Sequence, residues 1–240
     1  MPTSVLSGCR IGDDLVYDRS FDELRTGFTA AVSHELRTPL ARILALLDSA
    51  DLPGADVQEL IDQARAEVEN AGVLIDEILF LSELESGKEI VSLGHTVALP
   101  VLEEVARDLA DAATRAGVEL EVTGDDTVQV PLRPRMLKMI AENLAENAIR
   151  YAGHGAHFRF DVHRAGDFAV LIAADDGAGV AHQNLPRLFE RFYRTDSART
   201  SRGTGLGLAI VKHVVAAAGG DIEADGDTGR GLRIRATFPA

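Results

Sequence analysis

The chain has 240 residues, 46% hydrophobic and 26% charged, ordinary proportions for a soluble globular protein that can bury a sizeable core. Its net charge of −14 repels the phosphate backbone of nucleic acids and no basic stripe offsets it, so nucleic-acid binding is disfavoured. The single Cys9 excludes an internal disulfide, no apolar run approaches the ~18 residues of a membrane span, and residues 1–20 lack the charged start and apolar core of a signal peptide.

From Phe21 to about Ala50 the pattern is helical. Leu36, Leu40, Ile43, Leu44 and Leu47 fall within an arc of about 100° at 3.6 residues per turn. His34 projects about 140° from the centre of that arc and is expected to face solvent. It lies in the octapeptide Ser33-His34-Glu35-Leu36-Arg37-Thr38-Pro39-Leu40. An imidazole near neutral pH keeps a free nitrogen lone pair that can accept a phosphoryl group. The adjacent Glu35 can hold the other ring nitrogen's proton and make the attacking nitrogen more basic. Pro39 is expected to bend the helix just past the histidine.

Asp51-Leu52-Pro53-Gly54-Ala55 reads as a turn, and a second helix runs from about Asp56 to Ser86. Its residues Ile61, Ala64, Val68, Ala71, Ile75 and Ile78 step in threes and fours, the spacing of a bundle seam. The two helices make an antiparallel hairpin with one apolar stripe to cover. Pairing with a second copy into a four-helix bundle covers it, and packing on the rest of the same chain is the alternative.

From about Gly94 strands and helices alternate. Thr96–Leu99 reads as a strand, Pro100–Ala116 as a helix, and Val118–Val122 and Thr127–Val130 as strands around the turn Gly124-Asp125-Asp126. A helix over Arg135–Tyr151 precedes strands near Phe158–His163 and Phe168–Ala173. A Gly- and Arg-rich stretch from Asp175 to Gly205 then leads to a helix over Leu206–Ala218, and strands Asp221–Ala224 and Leu232–Phe238 close the chain. Hairpin-like strand pairs in a mixed order indicate an α+β sandwich rather than a doubly wound parallel sheet.

Three segments of this second half carry chemistry. Asn143 and Asn147 lie one turn apart on one helix face with Arg150 close by, and an amide oxygen is a hard neutral ligand suited to Mg²⁺. Asp175-Asp176-Gly177-Ala178-Gly179 follows an apolar strand; a carboxylate there can accept from the exocyclic amine of adenine while the glycines let backbone approach a ligand. Gly203-Thr204-Gly205-Leu206-Gly207 opens a helix, whose N-terminal backbone donors suit phosphate oxygens. Its spacing is not that of a dinucleotide-binding fingerprint, and no strand precedes it. Between the glycine segments, residues 187–202 hold five arginines against Glu190 and Asp196, which suits a mobile lid over a polyphosphate; a solvated loop is the alternative. His154, His157 and His163 straddle a glycine loop and a strand and read poorly as a metal site, while His95, His182 and His213 read as surface or satisfied core histidines.

The octapeptide resembles the phosphoacceptor box of bacterial two-component sensor histidine kinases. Residues 143–151 resemble that family's N box, 175–179 its G1 box (with Asp176 where the family often has Asn), Leu188–Arg194 its F box and 203–207 its G2 box. The boxes occur in the family's order across roughly residues 21–240. The resemblance implies a helical hairpin, a four-helix bundle as a homodimer, joined to an α+β two-layer sandwich of the Bergerat ATPase type. Residues 1–20 become a linker or the remnant of an upstream region, 21–90 the dimerisation and phosphotransfer domain, and 91–240 the catalytic ATP-binding domain.

By the same resemblance ATP with Mg²⁺ binds the second domain, His34 attacks the γ-phosphate, and an aspartate on a response regulator receives the phosphoryl group. Asn147 holds Mg²⁺. Asn143, Arg150, Tyr151, Asp175, Gly177, Gly179, Arg191, Arg194, Gly203, Thr204, Gly205, Leu206 and Gly207 join it around the nucleotide. His34-Glu35-Leu36-Arg37-Thr38 also matches the family's phosphatase signature, which gives Thr38 the task of placing a water for dephosphorylating the regulator. The chain is expected to be cytoplasmic, either alone or as the cytoplasmic portion of a membrane-bound sensor. Bergerat ATPases that hydrolyse ATP with water carry a glutamate where Asn143 stands, and Glu142 and Glu146 lie about 100° around the helix from the asparagine face. A catalytically dead scaffold is the third reading, against which every box is intact.

Overall fold

The computed structural model describes residues 32–85, 94–195 and 203–239. The linker expected over 1–20, Cys9, the helix start at Phe21, and Asp196, Arg199 and Arg202 lie outside the described residues. The chain divides into two compact units, residues 1–74 and 75–240. No helix among the described residues is long and apolar enough to cross a membrane.

In the first unit, helix α1 covers residues 32–50 and continues through Pro39. Proline has no N–H, so the Glu35 carbonyl loses its helical partner there. The turn closes through Leu52 N–H to the Ser49 carbonyl and Ala55 N–H to the Leu52 carbonyl, with Gly54 at φ +84°. Asp56 then caps helix α2 (Val57–Glu85) by accepting from the Glu59 N–H at 3.1 Å. Between the two helices Arg42 pairs with Glu67 at 3.5 Å, the carboxylate side chain 9% exposed and the guanidinium 59%.

Burial separates two stripes that the sequence pattern merges. On α2, Glu67, Leu74 and Leu81 are buried at steps of seven, while Ile61, Val68 and Ile75 are exposed at the same step. On α1, Leu36 and Ile43 are half-buried while Leu40, Leu44 and Leu47 are exposed. One stripe closes the hairpin and the other is a second apolar face open to solvent.

The second unit takes in the end of α2 from Ile75 onward. Strand β1 is only Thr96–Val97, pairing antiparallel with β3 (Gln129–Val130). The strand expected over Thr96–Leu99 therefore stops early, and helix α3 starts at Ala98 with Pro100 in its first turn, where a missing N–H costs nothing. The single helix expected over Pro100–Ala116 is two, α3 (Ala98–Asp108) and α4 (Ala110–Ala116), divided where Leu109 turns to φ −95°, ψ 0°. Gly117 ends α4 in the left-handed conformation at φ +69°.

Strands β2 (Glu119–Gly124), β4 (His157–Ala165), β5 (Phe168–Asp175), β6 (Asp221–Gly226) and β7 (Leu232–Pro239) form one sheet in the order β2-β4-β5-β7-β6. β2 is parallel to β4 and every other pair is antiparallel. β2 runs past the expected turn to Gly124, where a Cβ would come within 2.3 Å of the Val162 carbonyl oxygen, so only glycine lets the strands pair that far.

Helices α5 (Pro134–Tyr151) and α6 (Gly207–Ala217) pack with α3 as the second layer. Phe158, Phe160 and Val162 of β4, Leu171 and Ala173 of β5, and Ile234, Ala236 and Phe238 of β7 alternate inward. Leu102, Leu137, Ile140, Leu144, Ile210 and Val214 are their buried helical counterparts. Lys138 ties α5 to α3 through Glu104 at 2.6 Å and Asp108 at 2.8 Å, hydrogen bonds that hold its ammonium well above the ordinary lysine range. The outer sheet face is charged, with Arg159, Arg233 and Asp225 in register across the strands. The second unit is thus the expected two-layer α+β sandwich, and the first is a helical hairpin.

Candidate functional site

The last two turns of α5 are the meeting point of the second unit. Asn143 donates from Nδ2 to the Met139 carbonyl at 2.9 Å, and a Cβ on Gly207 would lie 2.3 Å from its Oδ1. The amide nitrogen is thus held by its own helix, and the oxygen lies against the backbone at the start of α6, where only a glycine leaves it room. Asn147, one turn on, is half-buried, and no hydrogen bond of its amide occurs among the described residues. Its oxygen is a hard donor suited to Mg²⁺, an ion that takes few protein ligands and shares its shell with phosphate and water. The Asn147 position fits such an ion.

Arg150 and Tyr151 close the same face. A Cβ at Gly203 would lie 2.9 Å from Arg150 Nη1 and 3.0 Å from the Tyr151 hydroxyl, so the second glycine segment runs directly over them. Within that segment the Leu206 N–H donates to Thr204 Oγ1 at 3.2 Å, Gly205 sits at φ +72°, and the Leu206 side chain is fully buried. No side chain caps α6, which leaves its first-turn N–H groups at the end of this loop.

One residue beyond α5, Ala152 anchors the first glycine segment. Its carbonyl accepts from the Ala178 N–H at 2.8 Å, and a Cβ on Gly177 would come within 2.2 Å of that oxygen. Asp175 Oδ1 accepts from the Gly177 N–H at 2.9 Å. Burial pushes the Asp175 carboxyl above the ordinary aspartate range, and the N–H groups of Gly177 and Leu232 pull against it. Asp176 accepts from the His157 N–H at 2.7 Å, an acceptor's role that an asparagine oxygen would fill equally well.

A third glycine-rich stretch, absent from the sequence reading, locks this loop from the other side. In the β6–β7 turn, Gly229 N–H donates to the Ala178 carbonyl at 2.7 Å and Gly231 N–H to the Gly177 carbonyl at 3.0 Å. Gly231 lies at φ +76°, and a Cβ there would be 1.8 Å from the Asp175 carbonyl oxygen. The spacing Gly226-Asp227-Thr228-Gly229-Arg230-Gly231 was the available signal. Asp175 also borders an open groove of about 450 Å³ with Asp225, Asp227, Arg230 and Arg233.

The segment before the second glycine run is pinned rather than loose among its described residues. Tyr193 donates to Asn184 Oδ1 at 3.0 Å and carries the Arg187 guanidinium over its ring at 4.2 Å. Phe192 has φ +59° and donates its N–H to the Gly205 carbonyl at 3.0 Å. Arg191 reaches His213 at 3.3 Å, and Arg194 is half-buried. The other histidines go separate ways: His157 to Glu119 at 2.8 Å, His163 to Asp161 at 2.7 Å, and His154 against Gly117.

Glu77 went unnoticed in the sequence. It comes from the α2 segment of the second unit, and its Oε2 is buried without a hydrogen-bond partner among the described residues. Burial pushes its carboxyl above the ordinary glutamate range; the Thr204 hydroxyl partly offsets this, Glu146 adds to it and Arg150 opposes it. In the first unit, His34 and Thr38 are exposed and Glu35 is half-buried. The Thr38 hydroxyl lies 3.4 Å from the His34 carbonyl one turn back.

Residues 24–87 match the family model described as the His Kinase A (phospho-acceptor) domain, and residues 132–240 match that of the histidine kinase-, DNA gyrase B- and HSP90-like ATPase. The chain is 30% identical to the sensor histidine kinase WalK of Bacillus subtilis, over 94% of this chain and 38% of WalK. It spans less than two thirds of the length of the curated relatives it matches first. Among solved structures it resembles a mycobacterial sensor histidine kinase, MprB, at 30% identity and a TM-score of 0.54, covering 61% of this chain and 97% of that one. The histidine kinase ThkA, solved in complex with the response regulator protein TrrA, shares the fold at a TM-score of 0.73 and 18% identity, over 92% of this chain and 63% of that one.

The burial of Glu77 has a measurable sign. The folded protein holds its proton more tightly than the unfolded chain does, so its contribution to stability declines as pH rises from the ordinary glutamate range through the folded value. Glu77→Gln keeps the shape without the charge. At pH 7.5 it is expected to melt a few degrees above the wild type, equivalent to about 1 kcal/mol, with the difference vanishing near pH 4. Thermal unfolding followed by circular dichroism at the two pH values checks it.

Proposed function

The chain belongs to the two-component sensor histidine kinases, and from that membership we propose that it autophosphorylates His34 with ATP and passes the phosphoryl group to an aspartate of a response regulator. The observation that carries the reading is the convergence of two glycine segments on the end of α5, around Asn147, Arg150 and Tyr151. Asp175, desolvated at the far side, is the acceptor for the adenine amine. The uncapped start of α6 and the N–H groups of 203–207, with Arg150, take the phosphates. Asn147 would hold Mg²⁺, which when bound neutralises charge on the phosphate oxygens.

A lone-pair nitrogen of His34 attacks the γ-phosphorus in line. The N–P bond forms as the bond to the β–γ bridging oxygen breaks, ADP leaves, and Glu35 takes the proton from the other ring nitrogen. Exposure of His34 on α1 suits a nucleophile that must meet first a nucleotide and then a regulator. In transfer to the regulator the N–P bond breaks and an O–P bond to a carboxylate forms. The partner of ThkA in its solved complex, a response regulator, supports a receiver domain as the partner of this chain.

Water hydrolysis by the same ATP site is the competing reading. It needs a base at position 143, and the Asn143 amide is not one; its nitrogen is also committed to the Met139 carbonyl. Homodimerisation is supported by the exposed series Ile61, Val68 and Ile75 on α2 and Leu40, Leu44 and Leu47 on α1, an apolar face of the kind a four-helix bundle buries. The reading assigns residues 21–90 to phosphotransfer and dimerisation and 91–240 to ATP binding, in the cytoplasm.

Three outcomes follow. With γ-labelled ATP, the wild-type chain is expected to acquire acid-labile, alkali-stable label that drops below detection in His34→Gln; label persisting in that variant would overturn the phosphoacceptor. Thr38→Ala is expected to keep autophosphorylation while regulator dephosphorylation falls about tenfold or more, measured as decay of the phosphorylated receiver. Replacing Ile61, Val68 and Ile75 together by Lys is expected to convert a dimer to a monomer in sedimentation velocity, with helical content retained.

A further inference from the structure

His213 has a role that none of the motifs includes: we propose that it is a positioning residue, which holds Arg191 against α6 and thereby fixes the Arg191–Phe192 segment that bonds to the phosphate-binding glycines. The inference rests on the reading of residues 203–207 as a phosphate site.

His213 lies on α6, and its Nδ1 is 2.9 Å from the Ala209 carbonyl oxygen. A carbonyl oxygen only accepts, so Nδ1 carries the hydrogen. In the neutral ring Nε2 then bears the lone pair, and it faces Arg191 Nη2 at 3.3 Å. A guanidinium only donates, so the geometry is self-consistent: α6 backbone orients the imidazole and the imidazole accepts from Arg191. Arg191 is half-buried, and burial pushes its guanidinium below the ordinary arginine range, so an acceptor at this point offsets a real desolvation cost.

The next residue shows what the tether holds. Phe192 has a left-handed backbone, φ +59°, unusual for an aromatic residue, and its N–H donates to the Gly205 carbonyl at 3.0 Å. A Cβ on Gly205 would come within 2.9 Å of the Phe192 backbone, so the two chain segments cross in contact. Arg191 and Phe192 thus attach their segment to the His213 side chain of α6 and to the Gly205 backbone just before that helix. Gly205 itself belongs to the stretch whose N–H groups face the phosphates. Releasing Arg191 loosens an attachment at that crossing. The adenine end, built on Asp175 and the β6–β7 turn, shares none of these contacts.

The prediction separates positioning from general damage to the domain. In the full chain, His213→Leu is expected to weaken binding of a fluorescent ATP analogue with Mg²⁺ about tenfold while leaving adenosine affinity within twofold of the wild type. His213→Gln, whose amide oxygen can still accept from Arg191, is expected to recover most of the loss. Melting temperatures of the variants serve as the folding control. The proposal is overturned if His213→Leu binds the ATP analogue as the wild type does, if ATP and adenosine affinities fall together, or if His213→Gln is as weak as His213→Leu. A wild-type chain that binds neither ligand would instead remove the phosphate-site reading, and this proposal with it.

Discussion

The close approach of backbone to the end of α5 is the constraint on which the second unit depends. Gly177, Gly203 and Gly207 each pass so near this helix or the residue after it that a methyl group would meet Ala152, Arg150 with Tyr151, or Asn143 respectively. Each lost side chain forgoes packing and adds conformational freedom to the unfolded state. In return two loops from distant parts of the sequence are held at fixed heights along a single rigid rod. Ligand-binding N–H groups and side chains then owe their relative positions to α5, which the buried face from Met136 to Ala148 fixes onto the sheet.

Against that tightly specified frame, the polar side chains divide into those consumed by structure and those left for chemistry. Asn143, Asp176 and Lys138 each make hydrogen bonds with structural neighbours. Asn147 is not so engaged, and Asp175 keeps acceptor capacity beyond its contacts with two backbone N–H groups. Glu77 is the outlier, a carboxylate whose buried oxygen has no hydrogen-bond partner among the described residues. A group of that kind costs stability and reads as a functional feature rather than a packing one.

Much of this architecture was legible in the sequence because it is written locally. The hairpin follows from heptad-like steps and the Asp51–Ala55 turn, and the glycine segments from their own spacing. What could not be read are interactions between segments far apart along the chain. The division of the apolar arc on α1 into buried and exposed stripes depends on where α2 lies. The break at Leu109 and the early start of α3 at Ala98 accompany packing against α5 and β2, which Pro100 as a helix opener does not reveal. The Gly226–Gly231 turn matters through its bonds to Gly177 and Ala178, which link it to the Asp175 loop and join segments about fifty residues apart. The sequence leaves His213 as a surface or satisfied core histidine; Nδ1 is satisfied within α6, and the role of Nε2 depends on Arg191 being brought beside it.

The two hairpin ends of the sheet have opposite tolerances for engineering. The β6–β7 turn is clamped to the nucleotide-side loop, so an inserted tag or a changed length there would shift the Asp175 carboxylate with it. At the β4–β5 turn, Gly166 has open space around it and Asp167 and Phe168 are exposed. That turn is the natural attachment point for a fluorescent reporter or a surface tether, placed on the same rigid sheet yet mechanically silent toward the site.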